Sequence, residues 1–330
     1  MQWREGRSSG RWLDRRCFAA TVAVSGVGLS LAAAELVPRY AFMRDRRSPR
    51  SRVAILPAER YSDALEQLLY DALKLFDLGV KGKNVLLKPN LVEYSADAAI
   101  NTHPFLVGAA AVAFLRLGAA SVTVAEGPGH QRDTFLLLVE SGLGDQLRDR
   151  GIRFVDLNRD DVVKCRVRRG YTGMDHLWLP KTVLSSNFIV SMPKIKTHHW
   201  AGVTLSMKNM FGVIPGSCYG WPKNVLHWKG IHESILDICA TVPIHFVIAD
   251  GIVAMEGNGP LHGRSRPLNT VVLADDAVAA DFTCARLMGL NPMAVPHLRE
   301  ASYFLGNGSL RRIQQLASPL PRVFVPPEPA

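Results

Sequence analysis

The sequence predicts a doubly wound α/β domain: a mostly parallel sheet with helices on both faces. Three observations predict it. Apolar runs of four to six residues recur between residues 84 and 276, the length of fully buried strands. Helix-like segments separate them, as the crossovers of a parallel sheet require. Polar clusters follow the runs, and in an open parallel sheet the carboxyl ends of the strands share one ligand-binding edge.

The elements follow in order. "NVLLKPNLV" (84–92) is the first strand and ends in Lys88-Pro89-Asn90. Pro104 to Leu117 is amphipathic and rich in alanine, a helix closed by Gly118, with Thr102 and His103 placed to cap its start. "SVTVAEG" (121–127) completes one right-handed crossover unit. "FVDLN" (154–158), "NFIVSMPK" (187–194), "HFVIADG" (245–251) and "TVVLADD" (270–276) read as further parallel strands. "WAGVTLSMKNMFG" (200–212) reads as a helix, capped by Thr197 and ending near Gly212. "MEGNGPLHG" (255–263) reads as a tight loop, since its glycine spacing fits neither a dinucleotide fingerprint nor a P-loop.

Charge separates the ends from the body. The 330 residues carry a net charge of +10. Residues 1–52 hold eleven Arg against four acids, so the remaining residues carry only +3. No basic helix with interleaved aromatics occurs in the body, which argues against nucleic acid. Residues 1–37 have a basic start, an uncharged stretch from Cys17 to Ala34 and small residues at Ala32-Ala33-Ala34. That is the layout of an export signal, or of a membrane anchor if it stays uncut. Arg15-Arg16-Cys17-Phe18 is similar to a twin-arginine signal, which implies the twin-arginine export machinery as a partner and an extracytoplasmic body. Residues 38–52 read as a basic linker, 53–318 as a single domain and 319–330 as a Pro-rich tail.

Cysteine usage gives a negative expectation. Cys165, Cys218, Cys239 and Cys284 are far apart and form no C-x-x-C pair. No iron–sulfur cluster is expected from such spacing. The four allow three disulfide pairings, or remain buried thiols.

The polar clusters supply the candidate site. Lys88, Asn90, Lys194, Lys196, Lys208 and Asn209 would hold an anion, because clustered amines suit a carboxylate or phosphate. Lys194 and Lys196 alternate, so they share a strand face, while Ile195 points into the body. Glu126, Asp250 and Glu256 are the carboxylates able to move protons. His198 with Glu256 could furnish a divalent metal site, although the spacing matches no named signature. The bland alternative is that the lysines pair with Glu126, Asp250 and Glu256 and only tie loops together.

Several of these motifs carry a resemblance. "VLLKPNLV", "THPFLVGAAAVAFL", "PKIKTHHWAGVTLSMKNMFG", "IADGIVAMEGNGP" and "HGRSRPLNTVVLADDAVAAD" occur in that order. Together they resemble the family catalogued as domain of unknown function 362, over roughly residues 53–310. Some relatives also carry a ferredoxin-like cysteine module, which this sequence lacks. The resemblance implies the fold more firmly than a reaction. The expected function is an enzyme acting on a small anionic metabolite. The competing reading is a non-catalytic ligand-binding or accessory protein serving a redox, iron–sulfur system.

Overall fold

The computed structural model describes residues 50–96, 98–129 and 133–316. The leader, most of the linker, His130 and the Pro-rich tail lie outside the described residues. Among the described residues, no helix is long and apolar enough to cross a membrane.

The chain opens with β1 (Ser51–Pro57), α1 (Ala64–Lys74), β2 (Asn84–Pro89), α2 (Pro104–Arg116) and β3 (Ser121–Glu126). Next come α3 (Thr134–Glu140), α4 (Leu143–Arg148), β4 (Arg153–Asp156), the hairpin β5 (Val162–Arg166) and β6 (His176–Pro180), and α5 (Lys181–Ser185). The central stretch holds β7 (Phe188–Met192), β8 (Lys194–His198), β9 (Gly202–Thr204), α6 (Ser206–Asn209), α7 (Gly216–Tyr219), α8 (Asn224–Trp228) and α9 (Ile231–Thr241). The last elements are β10 (Phe246–Glu256), β11 (Arg264–Ala274), α10 (Ala277–Leu287), α11 (Pro296–Phe304) and β12 (Ile313–Gln315).

The main sheet has ten strands, with the path β12-β1-β11-β10-β7-β2-β3-β4, and β8 and β9 continuing beside β10. Strands β10, β7, β2, β3 and β4 run parallel. Alternation along each strand feeds two cores. Leu86, Ile189, Val247 and Val272 enter one, packed by Ile235, Val278 and Phe282 of α9 and α10. Leu87, Val190, Ile248 and Leu273 enter the other, packed by Leu69, Phe114 and Leu147 of α1, α2 and α4. The sheet is therefore covered by helices on both faces, as expected of a doubly wound domain.

Four element assignments differ from the sequence reading. Ser51 and Arg52 belong to β1, not to a linker, because Arg52 donates its backbone N–H and Nε to Asp275 and anchors the strand on β11. β11 is antiparallel to both β1 and β10, so Asp275 and Asp276 lie on the sheet edge away from the other clusters. Asp276 caps α10 there. β10 continues to Glu256, which places Asp250 within the strand, just before a bulge. Residues 200–212 are no single helix: Gly202, at φ 77°, turns the chain into β9, and only the four residues of α6 follow before a 3-10 turn. Thr197 accordingly caps nothing and donates to the Gly257 carbonyl at 2.6 Å.

Candidate functional site

The carboxyl ends of β2, β3 and β8 meet at one cavity of about 280 Å3. It draws Asn90 and Leu91 from beyond β2, Glu126 from the end of β3 with Gly127 just after it, and Lys196 and His198 from β8. The segment 204–212 closes one side with Thr204, Lys208, Asn209 and Phe211. The loop after α7 adds Pro222 and Lys223, and α8 adds His227.

Lys88 and Glu126 form its innermost charge pair. Both are buried. Lys88 Nζ donates to Glu126 Oε2, to Asn209 Oδ1 at 3.1 Å and to the Pro89 carbonyl at 2.8 Å. Glu126 also accepts from the backbone N–H of Leu91 and Gly127, at 3.2 and 3.0 Å. Burial pulls the Lys88 amine below its ordinary range, while Glu126 opposes the shift. Asn209 is fixed by donating to the Lys88 carbonyl and to Ser191 Oγ, at 3.0 and 3.1 Å. Gly212 lies against this pair, and a β-carbon there would collide with Glu126 Oε1 and Lys88 Nζ.

Three other lysines face the same cavity under different terms. Lys196 is fully buried and donates to the Ile100 carbonyl at 2.7 Å and the Pro260 carbonyl at 3.4 Å. Lys208 is half-buried, with Nζ 4.2 Å from the centroid of the Phe211 ring. Lys223 is buried and donates to the carbonyls of Gly127 and Phe211, at 2.7 and 2.8 Å. Among the described residues, no carboxylate forms an ion pair with any of these three. Burial pulls Lys196 well below its ordinary range, and neighbouring Lys208 and Lys194 add to the effect. Lys208 is pushed down to about 8 by burial and then by Lys88. Lys223 is pushed down to about 7, by burial first, with Glu126 opposing and Lys88 adding.

Two of the cavity histidines, His198 and His227, have lowered basicity. His198 Nδ1 accepts from the backbone N–H of Trp200 and Ala201, at 3.1 and 3.2 Å, which leaves the proton on Nε2. Burial and the Lys208 charge hold this ring neutral. His227 Nδ1 donates to the Lys223 carbonyl at 3.1 Å, and burial lowers its basicity as well. Two buried acceptors on the cavity wall have no partner among the described residues: Asn90 Oδ1 and Thr204 Oγ1. Such groups are costly to bury without a partner.

The structure therefore brings together Lys88, Asn90, Glu126, Lys196, His198, Lys208 and Asn209. Three of the expected residues lie elsewhere. Lys194 shares its strand face with Lys196, yet its amine reaches Asp250 Oδ2 at 2.6 Å, with further bonds to Tyr61 Oη and the Val253 carbonyl at 3.0 Å. Asp250 also accepts from Tyr61 Oη at 2.8 Å and from the His103 N–H at 2.9 Å. This closed network holds β8, β10 and the start of α2 together, and neither residue lines the cavity. Its surroundings push the Tyr61 phenol up and pull His103 down to about 4, in both cases chiefly by burial. Glu256 sits at the far end of β10, 3.5 Å from Arg264 and 3.9 Å from Arg266. Glu256 is thus drawn toward the arginines of β11 and does not line the cavity. Among the described residues, no group of three or more His, Cys, Asp or Glu side chains is placed to hold a metal ion. Cys165, Cys218, Cys239 and Cys284 are free thiols.

Sequence reasoning missed Lys223, Thr204 and Trp200. Lys223 follows Trp221-Pro222 in a left-handed conformation, φ 69°, which a turn signal could have flagged. Nothing in its spacing linked it to Gly127, 96 residues earlier, whose carbonyl it meets.

Comparisons with known proteins bear on the family. A model of the family described as "Domain of unknown function (DUF362)" matches residues 85–286. The thylakoid-associated protein sll1697 of Synechocystis sp. is 30% identical over 144 residues, which is 41% of this chain and 44% of that protein. This chain thus matches less than half the length of that relative. Among solved structures, the lactate racemase apoprotein from Thermoanaerobacterium thermosaccharolyticum has a TM-score of 0.47 at 13% identity, covering 75% of this chain and 58% of that one. A Thermotoga maritima protein has a TM-score of 0.40 at 11% identity, covering 65% and 56%.

Proposed function

The chain belongs to the domain of unknown function 362 family, and on that premise we propose that it is an enzyme acting on a small anionic metabolite held in the cavity at the strand ends. One observation carries the proposal. Lys196, Lys208 and Lys223 surround one cavity with no carboxylate paired to them among the described residues. Buried amines such as those of Lys196 and Lys223 are rarely left that way, and a carboxylate or phosphate would supply the missing charge. The unpartnered Asn90 Oδ1 and Thr204 Oγ1 would accept from the ligand's own donors.

The chemistry follows from the amines. A group whose pKa lies near the working pH is best suited to exchange a proton in a transition state. Lys223, near 7, and Lys208, near 8, meet that condition. Lys196 would hold the anion, and Lys208 or Lys223 would move the proton. Glu126 serves this arrangement by neutralising Lys88, so that only part of the local positive charge is offered to the ligand. The twin-arginine-like leader would place this activity outside the cytoplasm.

Thermal melts with phosphate, sulfate and succinate test the reading. Each anion that binds should raise the melting temperature by mass action. Lys208→Met and Lys223→Met should blunt the rise, and incubation with a metabolite mixture, read by mass spectrometry, should reveal turnover. A melting temperature indifferent to all three anions would sink the proposal.

A further inference from the structure

The walls of the cavity narrow the choice of anion. Five rings line it in an unbroken arc: His198, His199, Trp200, His227 and Phe211. Successive centroids are 5.0 Å apart for His198–His199, 4.8 Å for His199–Trp200, 5.5 Å for Trp200–His227 and 5.5 Å for Phe211–His227. Lys208 Nζ, over the Phe211 ring, closes the arc against the lysine cluster.

We infer that the ligand carries its carboxylate or phosphate on an aromatic ring. This rests on the anion reading above and adds the body that the anion is attached to. Four features support it. Aromatic side chains favour offset or edge contacts with another ring at these separations. The ring nitrogens are engaged with the backbone: His198 accepts at Nδ1, whereas the Nδ1 atoms of His199 and His227 face the carbonyls of Gly259 and Lys223, and burial lowers the basicity of His198 and His227. His198 and His227 therefore offer ring faces rather than charge. Trp200 is 56% exposed although it lines the cavity, so an indole face stands at the mouth without a full protein contact. Size agrees as well. An apolar cavity of about 150 Å3 takes one benzene, so about 280 Å3 leaves space for one ring and its acid group. A saturated acid would satisfy the lysines equally but would leave the arc poorly matched.

Calorimetry on the full chain separates these terms. The probes are inorganic phosphate, benzoate against cyclohexanecarboxylate, and phenyl phosphate against cyclohexyl phosphate. The aromatic member of each pair should bind about threefold to tenfold more tightly, the value of one good ring contact. The pair showing the larger affinity identifies the acid group. Trp200→Leu should erase the ring preference, and Trp200→Phe should keep most of it. Equal affinities within both pairs, with phosphate still binding, would overturn the aromatic inference and leave the anion reading intact. A preference that survives in Trp200→Leu and also in Phe211→Leu would equally overturn the role of the arc. Failure of all five probes to bind would refute the anion reading, and this inference with it.

Discussion

Lys194 and Lys196 stand two residues apart on one strand, both buried, and should respond to the same substitution in opposite ways. Replacing either by Met keeps the aliphatic stem and removes the charge. Lys194→Met strands Asp250, whose Oδ2 meets the Lys194 amine at 2.6 Å in a fully buried setting. Breaking a buried pair in this way costs about 3–5 kcal/mol. Each kcal/mol moves the melting temperature of a domain this large by about 2–4 °C, so a fall of about 10 °C is expected. Lys196→Met strands no carboxylate. It loses hydrogen bonds to two carbonyls, at about 1 kcal/mol each. Against that loss, it removes a buried amine whose protonated form burial, Lys208 and Lys194 all disfavour. The net change should stay under about 2 kcal/mol. Phosphate supplies the second readout. At a hundred times its Kd, a ligand adds about 2.7 kcal/mol. Lys194→Met should keep that gain on its lowered baseline, and Lys196→Met should lose most of it. Differential scanning calorimetry measures both. If Lys196→Met melted as low as Lys194→Met while keeping its full response to phosphate, the division between a structural and a ligand-facing lysine would be wrong.

Three further outcomes are expected. Gly212→Ala should cost about 3 kcal/mol in urea unfolding, because the added carbon displaces the Lys88–Glu126 pair; an unchanged midpoint would show that the pair yields freely. Lys208 and Lys223 titrate near 8 and 7 when folded, with Lys88 and Glu126 facing them, but near 10.5 when unfolded. Between those values the unfolded chain binds more protons, so the ligand-free domain should gain stability as pH rises from about 7 to about 10; melts that fall over this interval would contradict the assigned shifts. Arg15→Lys with Arg16→Lys should leave the protein in the cytoplasm on fractionation, and unchanged export would remove the twin-arginine reading.

The parallel core was legible in the sequence because each buried strand is a short apolar run. "NVLL", "SVTV" and "NFIV" fall in β2, β3 and β7 with the expected order and direction. β1 was hidden by its neighbours: Arg50 and Arg52 extend the basic character of the linker into a strand whose alternate residues are fully buried. The direction of β11 was hidden for a different reason. An apolar run carries no sign of direction, and the glycine-rich loop 257–263 does not reveal that the strands on either side of it pair antiparallel. At the site, strand-end logic brought Lys88, Glu126, Lys196 and His198 together. It failed for Lys194 because side-chain alternation fixes a face, not the place where a four-carbon stem delivers its charge. It failed for Lys223 because that residue reaches the cavity from an irregular segment with no period to read.

The arrangement of charge leads to one more expected outcome. Lys88 is neutralised by Glu126, whereas Lys196, Lys208 and Lys223 each have a basicity lowered first by burial. An anion entering the cavity stabilises the protonated form of all three and raises their pKa values again. At a pH above the ligand-free values, binding must therefore take up protons. The enthalpy of binding should then differ between two buffers of unlike ionisation enthalpy, and the difference should grow from about pH 7 to about pH 8.5, where Lys223 and then Lys208 are neutral in the empty site. Lys223→Met should remove part of the uptake seen just above pH 7. A binding enthalpy independent of buffer would mean that the amines keep their protonation state throughout. In that case Lys208 and Lys223 would have no proton to give or receive, and the cavity would hold its ligand without acting on it.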